Sequence, residues 1–279
     1  MWLKPIGLLI LIGAIVGGFA IMHGPLGELW HPSELVVILG ASLAAFFLAA
    51  PIPVVTRTFV MSLRYFQGDK ANIKVYLELL GLLEELFKLS RAQGVLALDK
   101  HVSDPLSSNV FSRYPAVVKH KELREFVAEC FAYVLMNPPK GHELHHMADK
   151  RISIWFRSAS EVPKIVGKVG DWLPGFGIMA AIMGVILTMT TVGGPVEITA
   201  KFIGAALTGT FYGILFAFAV LGPFTHAMEV MLRQDKMLLE MAAAAIGAYS
   251  DGVSPNLAIE IGRQRVPPEY RDKLPNKDR

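Results

Sequence analysis

The stretch Trp172–Val192, WLPGFGIMAAIMGVILTMTTV, decides how the chain must be read. It holds no Asp, Glu, Lys, Arg or His. As a helix rising about 1.5 Å per residue it would be about 30 Å long, the thickness of a bilayer's hydrocarbon core. A soluble core helix has no need of so long an uncharged run. Phe202–Phe224 repeats the pattern a few residues later, and Leu35–Val55 and Ile6–Met22 precede it. Each run is bounded by charge or by turn residues. The reading is therefore an all-α integral membrane protein with four transmembrane helices and a helical cytoplasmic domain. A signal peptide is the rival for Ile6–Met22, but Lys4 is the only basic residue before it and no Ala-x-Ala site follows Met22.

Composition agrees with that reading. Of 279 residues, 53% are hydrophobic and 18% charged, against about 25% charged in an ordinary soluble domain. The charges are placed unevenly. Residues 24–34 contain no Lys or Arg and residues 193–201 contain one, whereas residues 56–171 contain seventeen and residues 225–279 contain eight. Lys and Arg accumulate on the cytoplasmic side of a membrane protein. The expected layout is spans 6–22 and 35–55 within residues 1–55, and a cytoplasmic helical domain over 56–171. Spans 172–192 and 202–224 follow, and then a cytoplasmic helix and tail over 225–279. Both termini face the cytoplasm, and for a bacterial chain the membrane is the inner one.

Within the long middle segment, Leu123, Phe126, Val127, Cys130, Phe131 and Val134 recur at three- and four-residue steps, which predicts a helix. Ile73–Leu89 predicts another, with Glu84 and Lys88 as an i,i+4 pair. Asn137-Pro138-Pro139 breaks the chain. Arg151–Ser160 continues a helix toward the third span, Glu229–Ala248 makes one more, and the tail from Ser250 is expected to be irregular. Cys130, the single cysteine, excludes an intrachain disulfide and reads as a small core residue.

No ionisable residue falls inside any of the four runs. Ion paths through membranes use buried ionisable groups, so a chain of this kind that moves ions must take its titrating carboxylate from a partner. The last two spans carry Thr188, Thr190, Thr191, Thr208, Thr210 and Tyr212. Their hydroxyls can bond back to helix carbonyls or line a wet seam. Pro174 starts the third run and Pro223 ends the fourth, positions that suit ordinary helix ends or a hinge. Gly177–Gly184 and Gly204-Ala205-Ala206 allow close helix approach, within a chain or between copies.

The runs Leu173-Pro174-Gly175-Phe176-Gly177 through Gly184, and Thr208-Gly209-Thr210-Phe211-Tyr212-Gly213 through Gly222-Pro223, resemble the last two spans of the MotA family of flagellar stator subunits. Ser90-Arg91-Ala92-Gln93-Gly94 with Leu98-Asp99 is similar to the family's cytoplasmic charged segment, and Ser254-Pro255-Asn256-Leu257-Ala258, Glu260, Arg263 and Pro268 fit its tail. The resemblance covers nearly the whole chain. It implies a ring, five copies being the expectation, around a MotB-like single-span partner that supplies the ion-binding Asp. It also implies lipid contact, a flagellar rotor partner of the FliG type, no enzymatic activity, no cofactor and no nucleic acid. Pro174 and Pro223 take the coupling positions, and Arg91 and Asp99 the rotor-facing charges, with Asp where many members have Glu. Sodium-driven relatives carry a Thr where this chain has Ala181, and a hard cation needs that oxygen. Protons are the expected coupling ion, ahead of sodium. Thr210 matches a Thr found in both types.

Two rivals come from other readings. His142-Glu143-Leu144-His145-His146 is a literal H-E-x-x-H run. It would make a zinc metalloprotease if His142 and His146 bound metal with Glu143 as base, but only Asp149 stands near as a third ligand. A TolQ/ExbB-type envelope energiser is the nearer rival, usually with three spans. A passive membrane scaffold is the third possibility.

Overall fold

The computed structural model describes residues 3–67, 73–136, 141–271 and 273–274. Those residues form helices α1 (Leu3–Ile21), α2 (Pro32–Ala49), α3 (Ile52–Gln67), α4 (Ile73–Gln93), α5 (Asp99–Val102) and α6 (Pro115–Lys119). Then come α7 (Lys121–Met136), α8 (Gly141–Met189), α9 (Val196–Leu215), α10 (Gly222–Ser250), α11 (Pro255–Arg263) and α12 (Pro268–Arg271). No strand occurs among the described residues. The expected break at Asn137-Pro138-Pro139 lies outside them. The chain divides into two compact units, residues 1–68 with 161–229 and residues 69–160 with 230–279.

The first unit holds the apolar helices. Three helical stretches are long and apolar enough to cross a membrane, Leu26–Ala49, His142–Met189 and Val196–Ser250, and the shorter Pro5–Ile21 is also apolar. α1 exposes Leu8, Leu9, Ile10 and Ile12. A helix apolar on all sides suits a lipid environment. The second expected span does not run unbroken to Val55. Ala50 is extended (φ −101°, ψ 127°) and separates α2 from α3, because the residue before Pro51 is pushed out of the helical region. The third span is not a separate helix either. It is the last part of the 49-residue α8, which passes through Pro163 and Pro174. Pro174 is therefore a mid-helix proline rather than a first-turn one. Likewise the fourth span does not stop at Pro223. After α9 the chain makes a wide π-helical stretch, Phe216–Leu221, and continues as α10 to Ser250.

Proline chemistry explains that wide turn. Pro223 has no N–H for the carbonyl four residues back, and its ring crowds that carbonyl. The Gly222 N–H reaches instead to the Ala217 carbonyl, five residues back. π-type widening of this sort relieves the clash without ending the helix.

The second unit is organised by α4. Val75, Tyr76, Leu79, Leu82, Leu83, Leu86 and Phe87 are almost fully buried, so α4 is enclosed on most of its surface. α7 buries Leu123, Phe126, Val127, Cys130 and Phe131, the predicted stripe, and α10 adds Leu238, Leu239, Met241, Ala242, Ala245 and Ile246. Phe87 stacks on Tyr249 at 4.3 Å between ring centroids. A buried polar clasp joins distant parts of the sequence: His120 Nε2 lies 2.9 Å from Asp235 Oδ1, both side chains almost fully enclosed. Glu84 and Lys88 pair at 2.7 Å as expected. The tail departs from expectation, because α11 packs on α4 with Pro255, Ala258 and Gly262 buried. Pro255 is pre-set for a first helical turn, and a Cβ at Gly262 would lie 2.9 Å from Cβ of Ala245.

Burial pushes the Cys130 thiol up to about 12. Maleimide is expected to leave Cys130 unlabelled in the folded, detergent-solubilised protein at neutral pH and to label it after denaturation, as read by intact mass. Rapid labelling of the folded protein would contradict the core packing around α7.

Candidate functional site

The site candidates within the first unit gather where α8 meets α9. A Cβ on Gly177 would stand 2.9 Å from the Gly209 carbonyl oxygen and 3.0 Å from the Gly213 Cα. One on Gly213 would lie 2.8 Å from the Leu173 carbonyl oxygen, and one on Gly184 would lie 2.8 Å from the Ala206 Cβ. The two backbones touch along nearly three turns. Lipid tails are as apolar as leucine, so helices in a bilayer associate by such close contact of small residues. The small faces that could have served contact between copies are used here inside one chain.

Ala181 and Thr210 stand at this seam. A Cβ at Gly209 would meet Ala180 at 3.2 Å and the Ala181 nitrogen at 3.3 Å, and Thr210 is the next residue. Both are half-buried. The neighbouring hydroxyls are occupied. Thr188 donates to the Gly184 carbonyl at 2.9 Å, Thr190 to Leu187 at 2.7 Å, Thr191 to Thr188 at 2.8 Å and Thr208 to Gly204 at 2.9 Å. Among the described residues the Thr210 hydroxyl has no such carbonyl. It is the threonine whose oxygen is available to water, an ion or a partner helix.

Pro174 is half-buried in α8, next to buried Leu173, whose carbonyl lies against Gly213. It removes one helical hydrogen bond, that of the Gly170 carbonyl, close to the tightest α8–α9 contact. Pro223 is exposed and opens α10 after the wide turn. The two prolines thus mark two local departures from α-helical hydrogen bonding. Pro163, a third, drew no attention in the sequence.

Arg91 and Asp99 lie in the second unit and are both exposed. Arg91 is in the last turn of α4 and Asp99 opens α5. Gly94, at φ +84°, turns the chain between them into a short 3-10 turn, Val95–Leu98. Asp99 accepts a hydrogen bond from the Ser103 hydroxyl at 3.0 Å. Below it His101 is buried and lies 2.9 Å from the Ser108 hydroxyl, which caps the amides of Val110 and Phe111. Burial, aided by the charge of Lys100, holds His101 below the ordinary imidazole range. Two exposed charges are thus carried on a buttressed turn.

The H-E-x-x-H run sits in the first turns of α8 with His142, Glu143 and His146 exposed. Among the described residues no three His, Cys, Asp or Glu side chains, Asp149 included, converge to hold a metal ion.

Sequence reading missed one group. Glu34, in the first turn of α2, is 7% exposed, and the Nε2 of His31 is closed off from solvent without a hydrogen-bond partner. Both stand just before the run that began at Leu35. The signal available was the pairing of charge with Pro32 at a helix start.

Fold and seam define a polytopic helical membrane protein with a tight two-helix core and a separate helical unit bearing exposed charges. Two family descriptions match it: the motility protein A N-terminal domain over residues 5–94 and the MotA/TolQ/ExbB proton channel family over residues 119–241. The chain belongs to the MotA/TolQ/ExbB proton channel family, and to its MotA branch. Its members are channel subunits, not enzymes. It is similar to motility protein A of Salmonella typhimurium, 29% identical over 94% of this chain and 88% of the relative. Motility protein A of Escherichia coli is 28% identical over the same shares. The fold is similar to Campylobacter jejuni MotAB, with TM-score 0.77, 17% identity and 95% of each chain covered. It is also similar to the flagellar MotAB stator complex of Bacillus subtilis, with TM-score 0.76, 18% identity, and 97% and 98% covered.

Substituting Gly213→Val is expected to drive side-chain atoms into the Leu173 carbonyl and to lower stability by about 1–3 kcal/mol. Thermal unfolding of the purified protein in detergent measures it. Ala205→Gly, which removes a buried methyl from the same helix without adding bulk, is expected to cost about 1 kcal/mol.

Proposed function

We propose that this chain is the ring-forming stator subunit of the bacterial flagellar motor. With a MotB-like partner it makes a proton-conducting complex that turns ion flow into torque. The carrying observation is the α8–α9 seam, closely packed, free of ionisable side chains over Trp172–Val192 and Phe202–Phe224, and presenting the unengaged hydroxyl of Thr210. A seam of that kind can admit a partner's carboxylate and water but cannot hold a proton itself. The partner's single span supplies the Asp, and a ring of five copies surrounds it. Four crossings place both termini in the cytoplasm of the inner membrane, a reading supported by the Lys and Arg distribution.

The carboxylate's charge state biases the helices that carry Pro174 and Pro223. A helix missing a hydrogen bond bends at lower cost than an intact one. Arg91 and Asp99 meet the flagellar rotor. Exposed pairs contribute about 0–1 kcal/mol each, so either charge alone is expected to be partly dispensable. The match of residues 5–94 to the motility protein A N-terminal domain favours the flagellar assignment over an envelope energiser.

Co-expression with the partner in a stator-deleted strain tests the reading. Unmodified protein should restore swimming, and Pro174→Ala should abolish it with the membrane level of the protein unchanged. Normal torque in that variant would remove its coupling role. Motor speed is expected to be insensitive to sodium, since Ala181 lacks the hydroxyl a dehydrated sodium would need. A speed that tracks sodium concentration in the unmodified motor would show that protons are not the coupling ion.

A further inference from the structure

A cluster of ionisable side chains at the mouth of the α2–α9 pair has no part in the reading above. The 3-10 turn Leu26–Leu29 delivers the chain to His31 and the start of α2. Glu28, half-exposed on that turn, places its Oε2 3.8 Å from His31 Nε2. The His31 side chain is 12% exposed, and its Nε2 is shut away from solvent with no hydrogen-bond partner. Glu34, one turn further, is buried with Oε2 accepting from the Ser33 hydroxyl at 2.7 Å.

α9 fixes this cluster in place. The Tyr212 hydroxyl donates to the Leu29 carbonyl, and Thr208 reaches the Glu28 carbonyl at 3.4 Å. Thr208 and Tyr212 flank Thr210 in sequence, so the cluster is tied to the span that carries the open hydroxyl. The other groups facing His31 are few. α9 offers Tyr212, with Glu197 and Lys201 exposed in its first turns, and α1 offers no ionisable side chain over Pro5–Ile21.

Burying a polar atom without a partner costs about 1–3 kcal/mol, and a carboxylate beside it adds to the cost. A purely structural turn would be more stable with apolar groups at His31 and Glu34. Imidazole is the side chain whose charge changes closest to neutral pH, and it carries a proton site on each face of the ring. Glu28 stands on its water side and Glu34 on the helix side.

We infer that Glu28, His31 and Glu34 form a proton-admitting station at the non-cytoplasmic mouth of the channel, with His31 as the relay. A proton arriving from water by way of Glu28 binds the bare His31 nitrogen, leaving a carboxylate and an imidazolium. The other ring nitrogen then releases one proton inward, to the Glu34 carboxylate or to water, and the ring is neutral again. One proton enters for each that leaves, and no other reactant is needed. The inference rests on the topology and the stator function proposed above.

The test is the speed–torque relation of single motors built from the complete stator. Torque near stall reports the energy delivered per ion, whereas speed at low load reports how fast ions arrive. With His31→Gln, stall torque should stay unchanged. Low-load speed should fall by about tenfold, less than the ~100-fold or more that losing a positioned proton-transfer group costs elsewhere, because water carries part of the route. The residual speed should rise as the external medium is made more acidic. His31→Glu, which keeps a proton-carrying group, should restore most of the speed. Glu28→Gln, at an exposed position that folding tolerates, should slow the motor in the same direction but less.

Unchanged low-load speed in His31→Gln and Glu28→Gln overturns the inference. So does a fall of torque and speed in equal proportion with no response to external pH, because that is the signature of fewer assembled stators. A separate arm checks the topology. Glu28→Cys should react with a membrane-impermeant maleimide added outside intact cells, with buried Cys130 giving no background. Labelling from outside together with normal speed would reject the relay alone. Labelling only from the inside would reject the topology on which it stands.

Discussion

The contact between α8 and α9 is the constraint on which the first unit depends. In water, helices of this composition would be driven together by apolar burial. In a bilayer that drive is absent, and attraction falls to short-range dispersion between surfaces that fit. Gly177, Gly184, Gly209 and Gly213, with Ala180 and Ala206, let two backbones approach until carbonyl oxygens lie against α-carbons. Larger residues at those positions would separate the helices, and Ala181 and Thr210 would no longer share a seam. The chemistry proposed for the channel is therefore inherited from the absence of side chains at four positions.

Much of this architecture was legible in the sequence, and the failures have common causes. Uncharged runs gave the apolar helices, because desolvating a charge is so costly that its absence is informative. The stripe ending in Phe131 and Val134 gave α7 by its period. Helix ends were read less well. Pro174 and Pro223 were read as boundaries, yet both lie within continuous helical rods, since in a membrane the freed carbonyl has no water to turn toward and the helix persists. Pro51 did break its helix, where it was read as span. The tail after Ser250 was underestimated because Pro255, Ala258 and Gly262 are small, and small residues carry weak hydropathy while still packing tightly against α4 and α10.

Site residues were legible to different degrees. Arg91, Asp99, Ala181 and Thr210 were found through family resemblance rather than through chemistry, for each is unremarkable in isolation. Their geometry adds what the letters could not hold: a positive-φ glycine that shapes the turn between the two charges, and one free hydroxyl among several occupied ones. His31 and Glu34 escaped notice because hydropathy reading begins a span where charge ends. A charged residue in the first turn of a buried helix then falls on the wrong side of the line, although its side chain is enclosed.

The wide turn at Phe216–Leu221 has a consequence for how this helix can change over time. An α-helix turns about 100° with each residue, so a stretch that takes in one extra residue per turn advances the sequence relative to the helix surface. Removing a single residue there would restore regular winding and rotate every later side chain of the rod by roughly that angle. Met228 and Leu232, now buried, would then point elsewhere. The length of this short segment therefore acts as a phase setting: point substitutions within it are tolerable, while a one-residue insertion or deletion re-faces the whole helix beyond.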